Sequence, residues 1–100
     1  MANFDWGVTL RGTYDAALGL PPKVTLRPLR VRDELASQGQ SNPGEAEILL
    51  ICSLTELPRS ALIELESVDY GAIVEKVMDI RAGKHLAPAT AKGGDAAGKP

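Results

Sequence analysis

Residues 45–80 read Glu45-Ala-Glu-Ile-Leu-Leu-Ile-Cys-Ser-Leu54, then Thr55-Glu-Leu-Pro-Arg-Ser-Ala-Leu-Ile-Glu-Leu65, then Glu66-Ser-Val-Asp-Tyr-Gly-Ala-Ile-Val-Glu-Lys-Val-Met-Asp-Ile80. Most of the large apolar residues of the chain lie here, so this stretch must supply most of the core. Just ahead of it, Asn42 is a good N-cap and Pro43 suits the first helical position, where its missing N–H costs nothing. Glu45 follows Asn42 by three residues, as in a capping box. A helix is therefore expected from Pro43 to about Thr55. Pro58 disfavours a helical conformation at Leu57 and breaks the pattern. A short helix is expected from Arg59 to Leu65, with Leu62 and Leu65 facing inward. Ser67 is the candidate N-cap of a last helix, and Asp69 places a favourable negative charge in its first turn. The stripe Tyr70, Ile73, Val74, Val77 has helical spacing, and Gly83 ends it.

Working outward, residues 6–11 and 23–27 carry β-type residues with partial alternation, Val24 and Leu26 sharing one face. The glycines and the Pro21-Pro22 pair between them mark a loop. Two strands alone are marginal in water, so they must lie against helices. Residues 29–38, with Val31 and Leu35 at i, i+4, form one more short helix. The expected order is β-β-α-α-α-α: an α+β domain with a short N-terminal β-hairpin packed on a small bundle of about four helices. Residues 1–82 make this domain. Residues 83–100, rich in Ala, Gly, Lys and Pro, offer too little to bury and are expected to be disordered.

The chain has 100 residues and a formal net charge of −2. Lys23, Arg27, Arg30 and Arg32 form a basic segment, expected to be a solvated strand edge protected by charge. From Asp33 to Asp79 there are ten acids against the two bases Arg59 and Lys76. This balance argues against a general nucleic-acid binder. A regulator using the last two helices as a helix-turn-helix would turn Glu64, Glu66, Asp69, Glu75 and Asp79 towards phosphates. The longest apolar run falls far short of the ~20 residues of a membrane span, and the first residues do not resemble a signal peptide. A soluble cytoplasmic protein is expected.

No motif announces catalysis, a metal or a cofactor. Residues 93–99 match a phosphate loop, but Pro100 stands where Ser or Thr should hold magnesium, and no helix follows. Ser67 resembles the modified serine of acyl carrier proteins, but Glu66 and Val68 replace the expected neighbours, and an N-cap role explains it. His85 has no second His or Cys to share a metal. At a helix end it would interact weakly with the dipole. Cys52 sits among apolar residues, as a buried inert thiol does.

The segments Leu26-Arg-Pro-Leu-Arg-Val-Arg-Asp33, Leu54-Thr-Glu-Leu-Pro58 and Leu65-Glu-Ser-Val-Asp-Tyr70 resemble the tail assembly chaperones of contractile-tailed phages of the Mu and P2 type. The matching residues are Arg27, Pro28, Val31 and Asp33, then the Leu-Thr-x-Leu-Pro break, then Leu65, Asp69 and Tyr70. The resemblance spans residues 8–77. It implies a non-enzymatic protein of the host bacterial cytoplasm. Such a protein binds the tape measure protein, with the tail tube protein as a second candidate partner, and keeps the tape measure protein soluble during assembly. Family members are usually absent from the finished particle, and a frameshift near the gene's end often yields a longer product. The alternatives are an adaptor that stays in a tail complex or a small DNA-binding regulator.

Four consecutive apolar residues, Ile48, Leu49, Leu50 and Ile51, cannot all face one core, because successive helix positions turn by about 100°. Some of Ile48, Leu49, Leu50, Ile51, Leu54, Leu57 and Leu62 are therefore expected to meet a partner helix or a second copy of the chain. Leu49 is expected to belong to the core if the helix register places it there.

Overall fold

The computed structural model describes residues 4–86. Residues 87–100, including the phosphate-loop-like stretch and most of the expected tail, lie outside the described residues. The chain is α+β. Strands β1 (Gly7–Thr9) and β2 (Lys23–Thr25) pair antiparallel, with Val8 opposite Val24. One further backbone bond at each end, Leu26 N–H to Trp6 O and Leu10 N–H to Pro22 O, extends the ladder beyond these short strands. The connection holds a single 3₁₀ turn, Ala16–Leu18, that the sequence did not announce. Four helices follow: α1 (Val31–Ser37), α2 (Pro43–Thr55), α3 (Arg59–Leu62) and α4 (Ser67–Arg81).

The strong local signals held. Asn42 Oδ1 accepts from Gly44 N–H and Glu45 N–H, and Pro43 opens α2. Glu45 does not complete a capping box; its carboxylate forks onto Arg59 at 2.7 and 2.9 Å, tying α2 to α3. Helix α2 ends at Glu56, a non-glycine residue in the left-handed region at φ 62°. Thr55 supports that exit, its hydroxyl donating to Ile51 O and accepting from Leu57 N–H. Helix α4 ends in a Schellman motif, with Gly83 at φ 82° donating to Ile80 O and Lys84 N–H to Asp79 O.

The core joins one face of the hairpin (Val8, Val24, Leu26) to Leu50, Ile51 and Leu54 of α2, Leu62 of α3, and Ile73, Val77 and Ile80 of α4. Leu49 is only half-buried, so the α2 register centres on Ile51. Beyond the end of α4, His85 does not hang free. It lies 5.1 Å from the Trp6 ring and 5.9 Å from Phe4, while Lys76 Nζ sits 5.0 Å over the Phe4 ring. His85 thus contacts the N-terminal segment.

Two buried carboxylates fix how the elements meet. Asp69, in the first turn of α4, is completely buried. It accepts from Arg11 N–H at 2.8 Å, Gly12 N–H at 2.9 Å and the Tyr14 hydroxyl at 2.6 Å. The same Tyr14 oxygen accepts from Glu66 N–H, so the loop after β1 occupies the end of α4. Glu66, not Ser67, is the N-cap residue; Ser67 is exposed and makes no capping bond. The expected Ser67 cap fails because tertiary donors and acceptors already satisfy this terminus. The Tyr14 hydroxyl, then the Arg11 amide, hold the Asp69 carboxyl below the usual carboxylate range.

The second carboxylate is Asp33 of α1. Arg27 grips it through both guanidinium nitrogens, at 2.7 and 2.9 Å, and Arg30 N–H donates to it at 2.9 Å. Arg27 also donates through Nε to Ser53 O, while its backbone N–H donates to Leu54 O. Arg27 is therefore an internal clamp between β2, α1 and α2, not part of a solvated basic edge. Lys23 does behave as such an edge, in an exposed pair with Asp5. The inward pull on Asp33 sets the rotation of α1. Val31 and Leu35 are each two residues away, roughly 160–200° around the helix. They face outward, 73% and 62% exposed, so their i, i+4 spacing marks a surface stripe instead of a core face.

Two outcomes follow from this packing. Ile51→Ala, at a fully buried position, should cost about 2–5 kcal/mol in denaturant unfolding, and Leu49→Ala clearly less. The Arg27 guanidinium lowers Asp33 from 3.8 to about 2. Because the folded-state value is the lower one, its stabilisation is present above pH 3.8 and disappears as the pH falls towards about 2. Asp33→Asn should therefore be less stable than wild type at neutral pH, and the gap should close across that acid window in a series of melts. A gap that stays constant would show that the clamp contributes nothing through charge.

Candidate partner-binding site

Helices α2 and α4 face each other across a hollow. Tyr70 of α4 donates from its hydroxyl to Glu47 of α2 at 2.6 Å. This bond crosses the seam between the two helices and divides it. Partial burial, then the Glu47 carboxylate, pushes the Tyr70 hydroxyl pKa well up, so it remains a donor across the physiological range. On one side of the bond is a trough of about 360 Å³, with Ala46, Leu50, Val74, Val77 and Met78 on its walls and Ser37, Glu47 and Arg81 among its polar residues. On the other side is a recess of about 370 Å³ lined by Ile48, Leu62, Ile63, Leu65, Tyr70 and Gly71.

The seven residues expected to meet a partner separate into two groups. Leu50, Ile51, Leu54 and Leu62 lie in the core, and only edges of Leu50, Ile51 and Leu62 reach these hollows. Ile48, Leu49 and Leu57 are half-buried. Of these, Ile48 borders the second recess, and Ile48 and Leu49 border a shallow hollow beside Cys52 and Arg59. The apolar residues that do stand out are elsewhere: Val31, Leu35, Ile63, Val68, Met78 and Leu86. Spacing within α2 could not reveal Met78 or Ile63, because each is exposed by the way α3 and α4 pack. The i, i+4 pair Val31 and Leu35 was visible as a stripe, but its direction was not.

The groups weighed for chemistry find structural surroundings. Cys52 is half-buried, and burial raises its thiol pKa, which keeps it protonated and unreactive. Glu45 is held below its ordinary value by Arg59. No group of three or more potential metal ligands exists among the described residues, and no helix among them is long and apolar enough to cross a membrane. The hollows are apolar, shallow and lined by helix sides, which suits a packed side chain or helix. A scan of protein-family models found no match, and neither curated proteins nor solved structures gave one.

Proposed function

We propose that this chain is a tail assembly chaperone of the type found in contractile-tailed phages. In this reading it binds the helical tape measure protein in the host cytoplasm and holds it soluble, with the tail tube protein as a second candidate partner. The observation that carries this reading is the apolar trough between α2 and α4, with Met78 60% exposed at its edge. A partner helix laid in such a trough recognises it through apolar side chains at i, i+3, i+4 and i+7. Glu47 and Arg81, of opposite sign, stand among the trough residues and would orient the incoming helix. The sequence resemblance supports the same reading. Its matching residues Arg27, Asp33 and Asp69 are the clamps that hold the hairpin and α1 to the layer carrying the trough. Exposed Glu64, Glu66 and Glu75 on α4 and the turn before it disfavour a duplex partner.

Co-expression with the candidate tape measure protein tests the proposal. The chaperone should raise the soluble fraction of its partner several-fold. Met78→Asp, a charge placed at an exposed position, should leave the melting curve of the chaperone nearly unchanged and abolish that gain. Equal solubility with and without the chain would remove the chaperone reading. Recovery of the chain in purified particles by mass spectrometry would favour the adaptor.

A further inference from the structure

We propose that this protein associates head-to-tail with copies of itself, the exposed Val31–Leu35 stripe of one copy entering the Ile63 recess of the next. The proposal is independent of the Met78 trough, which lies on the other side of the Tyr70–Glu47 bond.

The two surfaces differ in shape and in charge. The stripe is a knob: two branched side chains one helical turn apart, 73% and 62% exposed, on a helix whose opposite side is pinned by Asp33. Arg30 and Arg32 flank it and make no salt bridge among the described residues. Glu34, the other acid of α1, is already paired with Arg81. The knob is therefore apolar with a net basic surround. The recess is concave and apolar, its Ile63 wall 50% exposed. Glu64 follows Ile63 directly, is exposed, and likewise makes no salt bridge among the described residues. Arg59, on α3, is neutralised by Glu45. A basic apolar knob thus meets an apolar socket with the unpaired acid Glu64 beside it.

Position makes the contact heterologous. The Glu34–Arg81 pair fixes α1 at the C-terminal end of α4, whereas the recess borders Ser67, Tyr70 and Gly71 at its N-terminal end. About eleven residues of helix, or ~16 Å, separate the two ends. A knob and a socket at opposite ends join copies in a row, and a row grows unless its rotation closes a ring. The association of copies follows mass action, so it depends on concentration.

Sedimentation velocity and light scattering over a concentration series test this on the full chain. The wild-type mass should rise beyond a dimer with concentration. Leu35→Asp removes the knob and Ile63→Asp removes the socket; each alone should stay at the monomer mass. An equimolar mixture of the two retains one good knob and one good socket. It should give a 1:1 dimer that grows no further. Circular dichroism verifies that each variant is folded. If Ile63→Asp is not, Glu64→Lys reverses an exposed charge at the same socket and should lower the association at least several-fold. A wild type that remains monomeric, one that stops at a dimer, or an association that these variants leave unchanged would overturn the proposal.

Discussion

The Asp69 carboxylate is the constraint on which the architecture depends. It is completely buried and takes three hydrogen bonds, two from the backbone of the loop after β1 and one from Tyr14. A carboxylate out of water is tolerated only when it is fully hydrogen-bonded. Here the bonds also serve a second need, since Tyr14 accepts from the free Glu66 N–H at the start of α4. The hairpin has three residues in each strand and could not hold itself together alone. Its attachment to α4 through Asp69 gives it a fixed place over Ile73 and Val77 of the core.

Arg27 and Asp33 play the corresponding part on the other flank. The guanidinium fork matches a carboxylate in two parallel bonds, and Nε reaches a third element at Ser53 O. A charged residue on a short helix is thereby the buried one, and the apolar pair Val31 and Leu35 is left in solvent. Exposing two branched apolar side chains on one turn is unfavourable for an isolated monomer. It is the kind of surface that contacts with other molecules use.

The helical layer divides its apolar residues between interior and surface in a way that supports two separate contacts. Tyr70 and Glu47 bridge the α2–α4 seam, leaving a trough beside Met78 and a recess beside Ile63. The trough is lined mostly by α2 and α4, the recess by α2, α3, α4 and the turn between α3 and α4, and both offer shape and apolar area. In the proposed readings one receives a partner helix and the other a second copy, at different ends of α4.

Local chemistry alone determined the α+β order, the start of α2 at Asn42-Pro43, the break at Pro58 and the stop at Gly83. Each depends on residues within a turn of one another: a side-chain cap, a ring without an N–H, a glycine free to take positive φ. Alternation likewise placed Val24 and Leu26 on the buried face of the hairpin. The rotation of α1, the choice of Ile51 over Leu49 for the core, the burial of Asp69 and the exposure of Met78 and Ile63 were not legible in the same way. The first and third of these depend on side chains of other elements: Arg27 beside Asp33 and Ser53, and Tyr14 beside Asp69 across 55 residues. Periodicity states that a helix has an apolar side. For α1 the burial and pairing of Asp33 decided which side turned inward, because leaving a buried charge unpaired costs more than leaving a valine or leucine in water.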